Sequence, residues 1–111
     1  MTHDEFSKIL YSRLQDIEQR LASKAKEYAT EDRLHNFKQA AKLKSESPGE
    51  ALLGMLVKHW VSVMDMTKSF TEDPWFVPTL EQVNEKFGDV ICYMILLEAL
   101  IKERINSGGT N

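Results

Sequence analysis

The stretch Glu85-Lys-Phe-Gly-Asp-Val-Ile-Cys-Tyr-Met-Ile-Leu-Leu97 decides how this chain folds. Its apolar residues surround nearly the whole circumference of a helix, and Asp89 is the one charge between Phe87 and Leu97. A carboxylate on such a helix is paired, metal-bound or turned to a wet cleft. Stranding a buried charge by removing its partner costs on the order of 3–5 kcal/mol. Glu85 stands four residues earlier, so the two carboxylates share a face on consecutive turns. Paired carboxylates at this spacing suit a hard cation such as Mg²⁺. They suit a salt-bridged or solvent-facing acidic pair equally well.

Working outward, Thr79-Leu80-Glu81-Gln82 has the form of a capping box and opens this helix, which runs on to about residue 106. Ser107-Gly108-Gly109-Thr110-Asn111 reads as a flexible tail. Upstream, Ser47-Pro48-Gly49-Glu50 is a second start signal, with a capping serine, a proline at the first helical position and a returning glutamate. The helix it opens carries Leu52, Leu53, Leu56, Val57, Trp60, Val61, Val63 and Met64 around most of its circumference. A helix this apolar sits at the centre of a bundle or is covered on a second side by another subunit. Its polar stripe is Lys58, Ser62, Asp65 and Ser69, with His59 beside it.

Phe6, Ile9, Leu10, Leu14, Ile17, Leu21, Ala25 and Tyr28 recur at spacings of three and four, the pattern of a long amphipathic first helix. Its remaining Glu, Arg, Lys and Gln residues read as a solvated face. Thr30 can cap a short second helix bearing Leu34, Phe37, Ala40, Ala41 and Leu43 on its apolar side. These patterns predict an all-α four-helix bundle with helices near residues 3–29, 31–45, 48–70 and 79–106. One helical domain would span 1–106, ahead of the tail at 107–111. The surplus apolar surface of the third and fourth helices predicts a homo-oligomer built on them.

Of 111 residues, 42% are hydrophobic and 28% charged, the composition of a single soluble domain. A net charge of −3 argues against a nucleic-acid-binding surface as the main function. Cys92 is the one cysteine, so neither an internal disulfide nor a cysteine-built zinc site is expected. The opening Met-Thr-His-Asp-Glu lacks the basic and then apolar runs of a signal peptide, and the run from Phe87 to Ile101 is too short and too charged to span a membrane. The expected location is the cytoplasm.

Two polar features interrupt the apolar helices: Glu85 with Asp89, and Lys58, Ser62 and Asp65 with His59. Brought together inside the bundle, Asp65, Glu85 and Asp89 would hold Mg²⁺, with Lys58 and His59 contacting phosphate. The alternative is a charge network with Lys58 paired to Asp89 or Glu85 and no ligand. Asp32 and Asn36, four apart, read as a solvated face or as contacts for a sugar or base. Trp75 and Phe76 lie in the proline-bounded segment Thr71–Pro78 and suit a base, a lid or a neighbouring subunit.

At Glu85-Lys-Phe-Gly-Asp89-Val-Ile-Cys-Tyr93 the chain resembles the MazG-like, all-α nucleoside triphosphate pyrophosphohydrolases. The resemblance implies a Mg²⁺-bound triphosphate, usually in a dimer or tetramer, with Asp89 matching the family's final aspartate. Asp89 and Glu85 would be the catalytic carboxylates. Lys86 stands where the family has a glutamate, and Lys58, Ser62 and Asp65 stand where it has a preceding glutamate pair. Across residues 24 to 103, Lys26-Glu27-Tyr28-Ala29, Asp32-Arg33-Leu34-His35-Asn36-Phe37, Lys58-His59, Asp65-Met66, Gly88-Asp89 and Tyr93 are similar to small phage and prophage proteins. That likeness implies a phage or prophage origin and a place in nucleotide metabolism during infection. The alternative reading is a non-catalytic phage accessory protein that binds a host or phage protein through Trp75, Phe76 and the first helix.

Overall fold

A computed structural model describes residues 1–25, 27 and 30–108 and arranges them as four helices. These are α1 (His3–Ala25), α2 (His35–Leu43), α3 (Pro48–Glu72) and α4 (Leu80–Asn106), with no strand among the described residues. Tyr28 and the side chain of Ala25, expected to end the stripe of the first helix, lie outside the described residues. So do Lys26 and Ala29 of the phage-like segment and residues 109–111 of the tail.

Both capping boxes form. The Ser47 hydroxyl accepts from the Glu50 amide at 3.1 Å while the Glu50 carboxylate accepts from the Ser47 amide at 3.0 Å. Thr79 and Gln82 repeat the exchange at the start of α4. Each box satisfies two amides that the first helical turn leaves without carbonyl partners. Thr30 does not cap α2, a correction to the sequence reading. Its hydroxyl accepts from the Asp32 amide, and the Asp32 carboxylate accepts from the Leu34 amide. These local bonds hold a turn over residues 30–34 and delay the helix to His35.

α4 is the spine. Arg13 reaches the Asn84 carbonyl and Arg20 reaches Asp89, so α1 runs along α4 in the same direction. α3 runs antiparallel to α4, with Gly49 near Leu100 and His59 near Asp89. α2 packs on α3, and no other pair of helices brings its backbones close. The bundle is therefore open along one side. Its core is small: Leu34, Leu52 and Leu96 at the centre, with Leu21, Phe37, Tyr93, Leu97 and Leu100 packed around them. No described helix is long and apolar enough to cross a membrane.

Candidate functional site at the α1–α4 cleft

Asp89 stands on the inner side of α4, where it is partly buried and held from two directions. One carboxylate oxygen accepts from Arg20 of α1 at 3.3 Å. The other lies 3.5 Å from Nδ1 of His59 on α3. Arg20 is itself held by Asp16, one turn back on α1, at 2.9 Å, and donates to the Asn84 carbonyl at 3.1 Å. Arg13 bonds the same two groups, Asp16 at 2.9 Å and the Asn84 carbonyl at 3.2 Å. Two guanidinium groups thus lie against one turn of α4, and Gly88 is what lets them. A Cβ there would sit 2.7 Å from Cζ of Arg20 and 3.0 Å from a terminal nitrogen of Arg13.

Next along the same face, Tyr93 stacks on the His59 ring with centroids 5.0 Å apart and planes 16° from parallel. Phe37 meets Tyr93 edge-on at 6.1 Å. The Lys24 ammonium lies 5.9 Å from the Tyr93 ring centre, within range of a cation–π attraction. Asp16, Arg20, Lys24, Asp89, Cys92 and Tyr93 line an open cleft of about 350 Å³. Burial pushes the Cys92 thiol above its ordinary pKa, which disfavours the thiolate a nucleophile would need.

Of the candidate metal and phosphate residues Lys58, His59, Asp65, Glu85 and Asp89, the fold brings together Asp89 and His59. Lys58, Asp65 and Glu85 are each exposed. Asp65 and Lys58 lie on an outer flank of α3, and Glu85 faces a more open hollow with Arg20, Leu80, Glu81 and Asn84. Among the described residues no group of three or more His, Cys, Asp or Glu side chains is placed to hold a metal ion. The proposed set of Asp65, Glu85 and Asp89 therefore does not fit Mg²⁺ within one chain, and both oxygens of Asp89 already have partners. The charge network weighed as the alternative exists, but its cation is Arg20 rather than Lys58.

Sequence reasoning missed Arg13, Asp16 and Arg20 by assigning the charges of the first helix to a solvated face. A usable signal was present. Arg13, Arg20 and Lys24 fall within the stripe of Phe6, Leu10, Ile17 and Leu21 when the helix is wound at 3.6 residues per turn. Trp75, in contrast, is 90% exposed, while Phe76 beside it is half-buried.

No family model, curated protein or solved structure matches the chain.

Proposed function

We propose that this chain is a MazG-like helical protein, of phage or prophage type, that binds nucleoside triphosphates at the α1–α4 cleft without metal-dependent turnover by the single chain. The observation that carries the reading is Asp89 of the Gly-Asp pair on the wall of an open cleft, beside two cations and an aromatic ring. Lys24 and Arg20 supply positive charge for phosphate oxygens, Lys24 as a mobile point charge and Arg20 as a planar fork. Tyr93 supplies an apolar wall for a base or sugar. A phosphate that engages Arg20 competes with Asp16 and Asp89 for it, so binding couples to opening of the α1–α4 bridge.

Isothermal titration with each common ribo- and deoxyribonucleoside triphosphate, with and without Mg²⁺, tests this reading. At least one triphosphate should bind, and Lys24→Ala should weaken it by roughly 10-fold, the loss of one charge-assisted contact. The absence of binding by any triphosphate under either condition would reject it. Release of pyrophosphate and nucleoside monophosphate under Mg²⁺ would reject the non-hydrolytic part alone.

A second reading, a non-catalytic accessory protein that docks on another protein, is favoured by the exposure of Trp75 and of Phe6, Ile9, Leu10 and Leu14 on α1. Exposed aromatics are the usual anchors of such contacts. Proximity labelling in cells with the wild type and with Trp75→Ser should then recover different proteins. Identical recoveries would reject it.

A further inference from the structure

The described residues leave the outer face of α3 half-exposed. Leu53, Val57, Trp60, Val61 and Met64 are 47–52% exposed, and Leu56 at the edge of their stripe is half-buried. On a helical projection these residues form one band opposite the buried Leu52, Val63 and Met66. α3 is apolar on two sides, and α4 covers only one of them.

The size of the uncovered surface sets what must cover it. The accessible area of the chain is 8551 Å², against about 6,300 Å² for a compact monomer of 12.8 kDa. Its radius of gyration is 16.7 Å, where a chain of this length packs to about 13 Å. The excess of about 2,300 Å² is spread over the exposed faces of α1, α3 and α4, and it leaves room on α3 for the roughly 800 Å² per partner of an ordinary stable interface.

The stripe is also symmetric along its own axis. About the midpoint between Lys58 and His59, Val57 mirrors Trp60, Leu56 mirrors Val61 and Leu53 mirrors Met64. A two-fold axis through that midpoint sets large apolar residues opposite one another along an antiparallel pair of α3 helices. The same alignment brings exposed Glu50, on one edge of the stripe, beside Lys68 on the matching edge of the second copy, and does so twice. The outer stripe of α4 (Leu80, Phe87, Ile91, Met94, Ile101 and Ile105) is interrupted by the Glu98–Lys102 pair, and the exposed apolar residues Phe6, Ile9, Leu10 and Leu14 of α1 are confined to its N-terminal half, so neither offers as long a face for self-contact.

We propose that the outer face of α3 is the interface of an isologous homodimer, in which two α3 helices pack antiparallel about an axis near residues 58 and 59. The interface does not use the α1–α4 cleft and stands or falls apart from nucleotide binding.

Sedimentation velocity of the full chain over a micromolar concentration series tests the proposal. The wild type should sediment as a dimer. Trp60→Glu and Val57→Glu should each weaken dimerisation by at least about 100-fold, as expected for a charge placed at the centre of an apolar interface. Far-ultraviolet circular dichroism of the same samples reports whether the variants keep their helices. As a measurement that leaves the interface apolar, Val57→Cys treated with a short bis-maleimide should cross-link into a covalent dimer, and Lys102→Cys on the far side of α4 should not. A monomeric wild type would overturn the proposal and leave this face to a different partner. A dimer indifferent to both glutamates, or cross-linked equally from Lys102→Cys, would overturn it by assigning the interface elsewhere.

Discussion

Gly88 and Arg20 are matched across the α1–α4 contact: the guanidinium passes so close to α4 that a methyl group at position 88 would sit 2.7 Å from its Cζ. A glycine in mid-helix is ordinarily a weakness of about 0.5–1 kcal/mol against alanine. Here it is the condition for bringing Arg20 to Asp89 and to the Asn84 carbonyl.

Gly88→Ala should for that reason fail to deliver the stabilisation that helix propensity promises. Arg20 is flexible enough to swing away, but it then loses its α4 partners, and the expected net change is a loss of about 1 kcal/mol. In an Arg20→Ala background the clash is absent, and Gly88→Ala should become neutral or stabilising. A double-mutant cycle from urea denaturation reads this coupling directly. Additive effects would show that Arg20 does not rest on Gly88 in solution.

Asp89→Asn removes the charge Arg20 meets at 3.3 Å. The two side chains keep 27% and 32% of their exposure, and Arg20 retains Asp16, so the full penalty of a stranded buried charge does not apply. The expected loss is about 0.5–1.5 kcal/mol, between a surface pair and a buried one. Because the three candidate carboxylates do not gather, Mg²⁺ should leave the Tm of the wild type unchanged. A rise in Tm with Mg²⁺ that Asp89→Asn abolishes would show the carboxylates converging in solution after all.

The helices were readable from sequence because their signals are local. The Ser47 and Thr79 boxes depend on residues three apart, and the stripes of α1, α3 and α4 on spacings of three and four. Asp89 was readable as a charge in need of partners. Its partners were not, because Arg20 is 69 positions away and Lys58 stood closer in the chain at an apparently suitable place on α3. The start of α2 was misread for the opposite reason. Thr30 and Asp32 are helix-capping types, yet here their side chains bond amides within the turn itself.

Asp32 also joins Lys38, which bridges it at 2.8 Å to Glu103 of α4 at 2.9 Å. The Lys38 hydrogen bond, and then the Leu34 amide, hold the Asp32 carboxyl below its usual pKa. The bonds from Asp32 and Glu103 raise that of Lys38. The Asp32 contribution is present above its unfolded pKa near 3.8 and is lost as pH falls through the lower folded value. The Lys38 contribution is complete below its unfolded pKa near 10.5 and is lost as pH rises through the higher folded value. Lys38→Met should flatten both limbs of the stability profile. At neutral pH it should cost no more than about 1 kcal/mol, since these groups are substantially exposed. Denaturant midpoints across acid and alkaline series check this, and unchanged limbs would show that the bridge is not formed.

Ser47→Ala and Thr79→Ala each remove one side of a capping box while leaving the helix interior untouched. Each should cost about 1 kcal/mol. The Glu50 carboxyl, held below its ordinary pKa first by the Ser47 amide and then by the Ser47 hydroxyl, keeps the amide and loses the hydroxyl in Ser47→Ala. Hydrogen exchange at the first-turn amides of α3 and α4 should rise in the matching variant only. A rise in both helices with either change would mean that the caps act through global stability and not locally.

Among the described residues Leu52 is the one large side chain fully out of solvent, and it clusters with Leu34, at the entry to α2, and Leu96 on α4. It joins the turn before α2 to the spine, and the core around it is too small to refill the space. Leu52→Ala should therefore fall in the upper half of the range for buried leucines, about 3–5 kcal/mol. Leu53→Ala, the next residue but 50% exposed, should leave the stability of a monomeric background such as Trp60→Glu within about 0.5 kcal/mol of its parent. Chemical denaturation of the two variants in that background separates the inner face of α3 from its outer one. Equal losses would mean that the helix is rotated from the orientation described.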